Sequence, residues 1–281
     1  SLSVPIAVCR TDRLPSYVDE TTLVFVVSYS GETDESLVAM REAQRRKSQL
    51  FCITSGGKLE EICRRSEIPI LAVKAGLQPR AALAGLFVPI VYVLERYGLV
   101  KDLDREVEYA ANQLRKTVSA LDVQVSTDRN QAKQLALELR GVCPVVYSLE
   151  RMSSVARRMK NQLNENSKVP AKFDVIPEAC HNEIEGWGMS SDHLRALFSF
   201  ILIRDAGETQ RERSLMELTE TILEDAGFGN IHEIMESGET YLGSLLSTIS
   251  HVDFVSFYLA VSRGVDPTPL KRISELKTKL K

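Results

Sequence analysis

The apolar run Leu23-Val24-Phe25-Val26-Val27 passes directly into Ser28-Tyr29-Ser30-Gly31-Glu32-Thr33. Leu37, Met40, Ala43 and Gln44 then recur at helical spacing. A short β-branched run of this kind is a buried strand, and the spacing behind it is that of an amphipathic helix. Strand, hydroxyl-rich turn and helix in that order commit this stretch to a βα unit. The turn sets the Ser28, Ser30 and Thr33 hydroxyls beside the free N–H groups of a helix amino end. Donors and the positive end of the helix dipole converge there, which suits a phosphate dianion. Gly31 lets the backbone come close to a ligand. The simpler reading is a Ser/Thr cap with a glycine turn, and the turn alone leaves both open.

The rhythm continues along the chain. Strands are expected over 4–9, 23–28, 50–54 and 68–73, and helices over 34–47, 58–65 and 80–97. A long amphipathic helix over 101–119 leads to a polar stretch near 122–130. The second half expects a helix over 131–140, a strand over 144–148, a helix over 151–164 and a strand over 173–176. A strand over 197–204, a helix over 209–226, a short element near 230–234 and helices over 241–262 and 269–279 follow. Short apolar strands separated by helices imply βαβ units and buried parallel sheets. The expectation is an α/β chain of two similar domains, 1–122 and 123–281, each a parallel sheet flanked by helices.

With 281 residues, two modest domains have room for real cores. A net charge of −3 offers no basic field for nucleic acid. No apolar run reaches the roughly 18 residues of a membrane span, so no membrane partner is expected. Cys9, Cys52, Cys63, Cys143 and Cys180 are scattered and unpatterned, as in a reducing, cytoplasmic setting. His181, His193, His232 and His251 show no metal-ligand spacing, so neither metal nor cofactor is expected.

Chemistry concentrates in the second half. Residues 160–168 end a helix in a polar cluster where Asn164 and Asn166 flank Glu165. The amides could hold Glu165 as a general base and Lys168 could tune it, or the cluster could be a solvated helix end. His181 among Glu178, Glu183 and Glu185 could shuttle a proton near neutral pH or cap a surface helix. Trp187, the single tryptophan, reads as a packing anchor. Gln78-Pro79-Arg80 puts a cation at a helix start, against the dipole, which suggests an anionic ligand or a surface ion pair.

Together these segments, with Gly264-Val265-Asp266-Pro267-Thr268-Pro269, resemble the dual-specificity phosphoglucose/phosphomannose isomerases. Those enzymes are built from two sugar-isomerase (SIS) domains. The segments keep the family's order and span nearly the whole chain. The serine-rich turn alone says SIS domain. The Asn-Glu-Asn cluster followed by His-Asn-Glu is more specific.

The resemblance implies two flavodoxin-like SIS domains and an isomerase of carbohydrate metabolism acting in glycolysis and gluconeogenesis. It would interconvert glucose 6-phosphate or mannose 6-phosphate with fructose 6-phosphate through a cis-enediolate. It implies that Ser28, Ser30 and Thr33 bind the phosphate and that Glu165 moves the proton between C1 and C2. Arg80 would stabilise the enediolate. His181, acting in a neighbouring subunit's site of a homodimer, would assist ring opening with Lys277. Thr268 stands where glucose-only isomerases carry a bulkier glutamine, leaving room for the mannose epimer. The family's Gly/Ser-rich phosphate loop on an earlier βα unit has no counterpart in this sequence, so part of the phosphate site is expected to be missing. Glu32 stands where the family usually has asparagine, and a carboxylate beside a phosphate is unfavourable unless paired or turned away. The competing expectation is a non-catalytic SIS module that senses a sugar phosphate, which would have no need of Glu165 and His181.

Overall fold

The computed structural model describes residues 4–280, in two compact units, Ser1–Leu103 and Asp104–Lys281. In the first, β1 (Leu23–Val27), α1 (Asp34–Arg45), β2 (Gln49–Thr54), α2 (Gly57–Arg65) and β3 (Ile70–Ala72) alternate. A 3₁₀ turn at Pro79–Ala81 and helix α3 (Leu83–Arg96) follow. The sheet is parallel in the order β1-β2-β3, with Val27 opposite Ile53 and Thr54 opposite Ala72. Its core is Val26, Leu37, Met40, Cys52, Leu59 and Cys63. The helical stripe read from the sequence is the buried one: Leu37, Met40 and Ala43 face the sheet.

The strand expected over 4–9 is absent. Residues 5–10 have no regular structure, and Val4, Ile6 and Val8 are 40 %, 61 % and 69 % exposed. Alternating apolar residues suit a strand only where a neighbour completes the hydrogen-bond ladder, and no strand among the described residues does. The helix expected from residue 80 starts later, because Pro79 and Arg80 close a tighter turn first.

The second unit contains α4 (Leu103–Leu121), α5 (Gln131–Glu138), β4 (Cys143–Leu149), α6 (Ser153–Gln162) and β5 (Lys172–Ile176). It continues with α7 (Glu183–Gly188), α8 (Asp192–Leu197), β6 (Phe198–Ile203), α9 (Gln210–Asp225), β7 (Ile231–Ile234), α10 (Tyr241–Ser262) and α11 (Lys271–Lys279). Its parallel sheet runs β5-β4-β6-β7. One face buries Val146, Ile201 and Ile203 with residues of α5, α6 and α10, and the other buries Tyr147, Phe200 and Leu202 with residues of α9. Each large side chain buried this way contributes about 1.5–3 kcal/mol.

Three features depart from the sequence reading. Helix α4 falls almost wholly in the second unit, not in a first domain reaching residue 122. Leu121 joins that core, its carbonyl accepts from the Tyr258 hydroxyl at 2.5 Å, and the Thr117 hydroxyl donates to Glu236 at 3.4 Å. Helices α7 and α8, six residues each, were not expected. Glu-Ile-Glu-Gly-Trp-Gly has poor intrinsic propensity, and packing against the sheet supplies what the local sequence lacks. Helix α10 is, by length and composition, apolar enough to cross a membrane, contrary to the expectation of no such run. Val252, Val255 and Leu259 are wholly buried in the second unit, so α10 is its central core helix.

Candidate functional site

At the carboxyl end of β1, the Ser28 amide extends the ladder to the Ile53 carbonyl at 3.1 Å. Ser28 is buried, and its hydroxyl donates to Thr33 Oγ1 at 2.9 Å. Thr33 occupies the N-cap of α1, yet its side chain caps no amide of the helix. The plain capping reading therefore fails for this residue. The turn instead interlocks with its counterpart at the end of β2. Gly31 has φ +67°, and a Cβ there would lie 1.9 Å from the Gly56 carbonyl oxygen. A Cβ on Gly57 would lie 2.3 Å from the Ser30 carbonyl oxygen. The Leu59 amide donates to the Gly31 carbonyl at 3.0 Å, and the Ser55 hydroxyl to the Tyr29 carbonyl at 2.6 Å. Ser30 and Thr33 remain exposed beside the amino end of α1. This end carries partial positive charge and suits an anion.

Glu32 is paired. One carboxylate oxygen accepts from the Lys58 amide at 2.9 Å, and the other lies 3.1 Å from the Lys58 ammonium. The acid therefore sits at the amino end of α2, where the dipole favours it. Tyr29, which the sequence reading left without a role, ties the turn to the segment leading to Arg80. Its hydroxyl accepts from the Leu77 amide at 2.8 Å and donates to the Lys74 carbonyl at 3.0 Å. Arg80 is half-buried in the turn Pro79–Ala81, and its Nη1 donates to Gln78 Oε1 at 3.3 Å.

In the second unit, α6 runs into a π-helical turn at Leu163–Ser167, which carries Glu165, and ends at Lys168 with φ +55°. Helix α10 grips this turn. The Asp253 carboxylate accepts from Gln162 Nε2 at 2.8 Å and from Arg158 at 2.9 and 2.6 Å. Asn166 Nδ2 donates to Ser256 Oγ at 2.9 Å, and the Ser167 hydroxyl to the Ser256 carbonyl at 2.6 Å. Arg263 donates to the Ser167 carbonyl. Asn166 therefore serves the turn through Ser256. Asn164 Oδ1 is buried with no hydrogen-bond partner among the described residues. Lys168 Nζ donates to the main-chain carbonyls of Glu165 and, at 3.2 Å, of Pro267. The loop bearing Thr268 is thereby joined to the base turn. Within that loop Asp266 Oδ1 accepts from the Thr268 amide at 2.8 Å. This bond, aided by the Lys168 charge, holds the Asp266 carboxyl below its ordinary range.

His181 is exposed at the end of a 3₁₀ turn, Glu178–His181, beyond the carboxyl end of β5. The base turn precedes the amino end of the same strand. Five residues at about 3.3 Å each set the strand's two ends some 13 Å apart, with the base turn before one end and His181 beyond the other. Two residues beyond His181, Glu183 is anchored from two strands, β4 and β5. Its carboxylate accepts from the Tyr147 hydroxyl at 2.6 Å and pairs with Lys172. Burial pushes the Glu183 carboxyl up, but hydrogen bonds from Lys172, Tyr147 and Asp174 outweigh it and hold it low. Burial and the Glu183 charge push Asp174 up. Trp187 donates to the Tyr147 hydroxyl at 2.7 Å and meets Phe198, Phe200 and Phe228 edge-on, the packing anchor expected of it. Tyr147 and Lys172 have no sequence motif, and the only signal for Tyr147 is its inward place in a period-2 strand. Lys277 lies on α11, which buries none of its residues.

The description "Bacterial phospho-glucose isomerase C-terminal SIS domain" matches residues 128–280, and "SIS domain" matches residues 10–76. A bifunctional phosphoglucose/phosphomannose isomerase of Caldicellulosiruptor bescii is 36 % identical over 278 residues, covering 99 % of this chain and 81 % of that protein. Its namesake from Aquifex aeolicus is 37 % identical over 283 residues, covering 100 % and 83 %. Among solved structures, a glucose-6-phosphate isomerase-like protein from Thermus thermophilus superposes with a TM-score of 0.60 at 18 % identity, covering 95 % of this chain and 90 % of that one. At that identity the likeness speaks for the fold.

Proposed function

The chain belongs to the bifunctional phosphoglucose/phosphomannose isomerases, and on that premise we propose how its residues divide the work. It is an aldose–ketose isomerase of sugar phosphates. Glucose 6-phosphate and mannose 6-phosphate differ only at C2, which is planar in the enediolate, so both share one intermediate, and one base serves both when either face of C2 can be turned to it. The phosphate docks on Ser30, Thr33 and the amino end of α1, with Ser28 holding Thr33 in place. Glu165 removes the proton from one of C1 and C2 and returns it to the other. Arg80 stabilises the enediolate oxygen as a fixed positive charge. Thr268 leaves room for either hydroxyl configuration at C2.

His181 assists ring opening in the site of a second copy, and Lys277 contributes to the same step. Its support is the length of β5 between Glu165 and His181 together with the exposure of the imidazole. The active unit is a two-fold homodimer with shared sites, working in the cytoplasm, where its free cysteines stay reduced.

The observation that carries this reading is the π-helical turn around Glu165, which Ser256 of α10 and Arg263 just beyond that helix hold directly, while Asp253 secures the end of α6 that leads into it. A base must hold its position to within a fraction of an ångström, and this clamp restrains its backbone. The test is Glu165→Gln, which keeps shape but accepts no proton. Solvent deuterium incorporation at C2 is expected to fall by about 10²–10⁴. Incorporation at the wild-type rate would overturn the assignment.

A further inference from the structure

The loop between α10 and α11, residues 263–270, has no regular structure, so side-chain ties set its position relative to the base. Two such ties join it to the base turn and its end. Arg263 reaches the Ser167 carbonyl at one end of the loop. Near the other end, Lys168 spans the carbonyls of Glu165 and Pro267. Lys168 adopts φ +55°, a conformation costly for a residue with a Cβ, and this backbone angle accompanies an ammonium that bridges the two segments. Asp266 completes the arrangement by fixing the Thr268 amide at 2.8 Å.

We propose that Lys168 is a specificity-positioning residue. By pinning the Thr268 loop to the Glu165 turn, it sets the preference between the two C2-epimeric aldose phosphates. The proposal rests on the reading of Glu165 as base and Thr268 as the residue beside C2. The two aldoses carry the C2 proton on opposite faces of the same planar enediolate, so which epimer reacts depends on which face is turned to the base. Discrimination therefore lies in how each aldose hydroxyl fits beside C2 when the base is in reach, a difference of two affinities. A loop free to shift relative to the base changes that difference, whereas a loss of base strength lowers both rates alike.

Lys168→Asn removes the ammonium while keeping a residue that tolerates positive φ. Two readouts are taken on the full chain: amide hydrogen exchange of peptides covering 163–168 and 264–270, and kcat and KM for both aldoses. Exchange is expected to quicken in both segments together. The ratio of the two kcat/KM values is expected to shift at least fivefold, mostly through KM. Lys168→Arg, which retains a cation of similar reach, should restore much of the ratio. In a Thr268→Gln background the effect of Lys168→Asn on the ratio should shrink, since coupled residues are not additive. Unchanged exchange at 264–270, or an equal loss for both aldoses, overturns the proposal. Glu165→Gln run alongside separates the two readings. Full activity there rejects the base assignment, while the exchange data still judge the brace.

Discussion

Gly31→Ala tests whether the two turns of the first unit are interlocked. The added Cβ would lie 1.9 Å from the Gly56 carbonyl oxygen, where ordinary contact begins at 3.4 Å, so backbone must retreat by about 1.5 Å. Retreat opens the Leu59 amide bond to the Gly31 carbonyl, now 3.0 Å, and the Thr54 hydroxyl bond to Gly56, now 2.8 Å. Positive φ costs an alanine about 1–2 kcal/mol, and two hydrogen bonds at about 0.5–1.5 kcal/mol each bring the loss to about 2–5 kcal/mol. Gly76→Ala is the control, because Gly76 has φ +90° but nothing within 4 Å of the added carbon. It should cost only the backbone strain of about 1–2 kcal/mol. Native-state hydrogen exchange at the Leu59 and Ser28 amides reads the turn directly. The fluorescence of Trp187, which lies in the second unit, serves as the internal reference. Equal costs for the two substitutions would refute the interlock.

The double change Ser30→Ala with Thr33→Ala removes two hydroxyl donors to a dianion, worth about 1.5–3 kcal/mol each, and should raise KM for the sugar phosphates at least tenfold. An unchanged KM in steady-state assays would move the phosphate elsewhere. Tyr147→Phe should cost about 2–4 kcal/mol near pH 7, because the buried hydroxyl donates to the Glu183 carboxylate and accepts from Trp187. Burial and the Glu183 charge raise the Tyr147 phenol above its ordinary value. Its contribution is therefore present below the unfolded value of about 10 and lost as pH rises through the folded one. Urea midpoints from pH 8 to 11 should fall less steeply in the variant, and parallel curves would argue against it. Co-expressed Glu165→Gln and His181→Ala subunits should recover activity in heterodimers, with one intact site each. No recovery in a verified heterodimer places His181 in its own subunit's site or outside catalysis.

The local βα order and the family resemblance were legible in the sequence, whereas Gly31, read there as room for a ligand, is required by the close approach of the Gly56 carbonyl. The two legible features depend on neighbours a few residues apart, or on apolar spacing that a helix or strand repeats. The same reasoning placed Glu165, His181 and Thr268 in motifs but left their geometry open. What holds the residues flanking Glu165 comes from Asp253 and Ser256, about ninety residues further on. What holds the turn after His181 comes from Tyr147, thirty-six residues earlier. Tertiary structure also paired Glu32 with Lys58, drew α4 into the second unit and left residues 5–10 without a ladder. These outcomes turn on which distant groups meet after the sheets form. Periodicity reports which face of an element is buried, but not which residue of another element packs against it. A polar side chain's partner is chosen by the cost of leaving it buried and unbonded, a condition defined only once the core has closed around it.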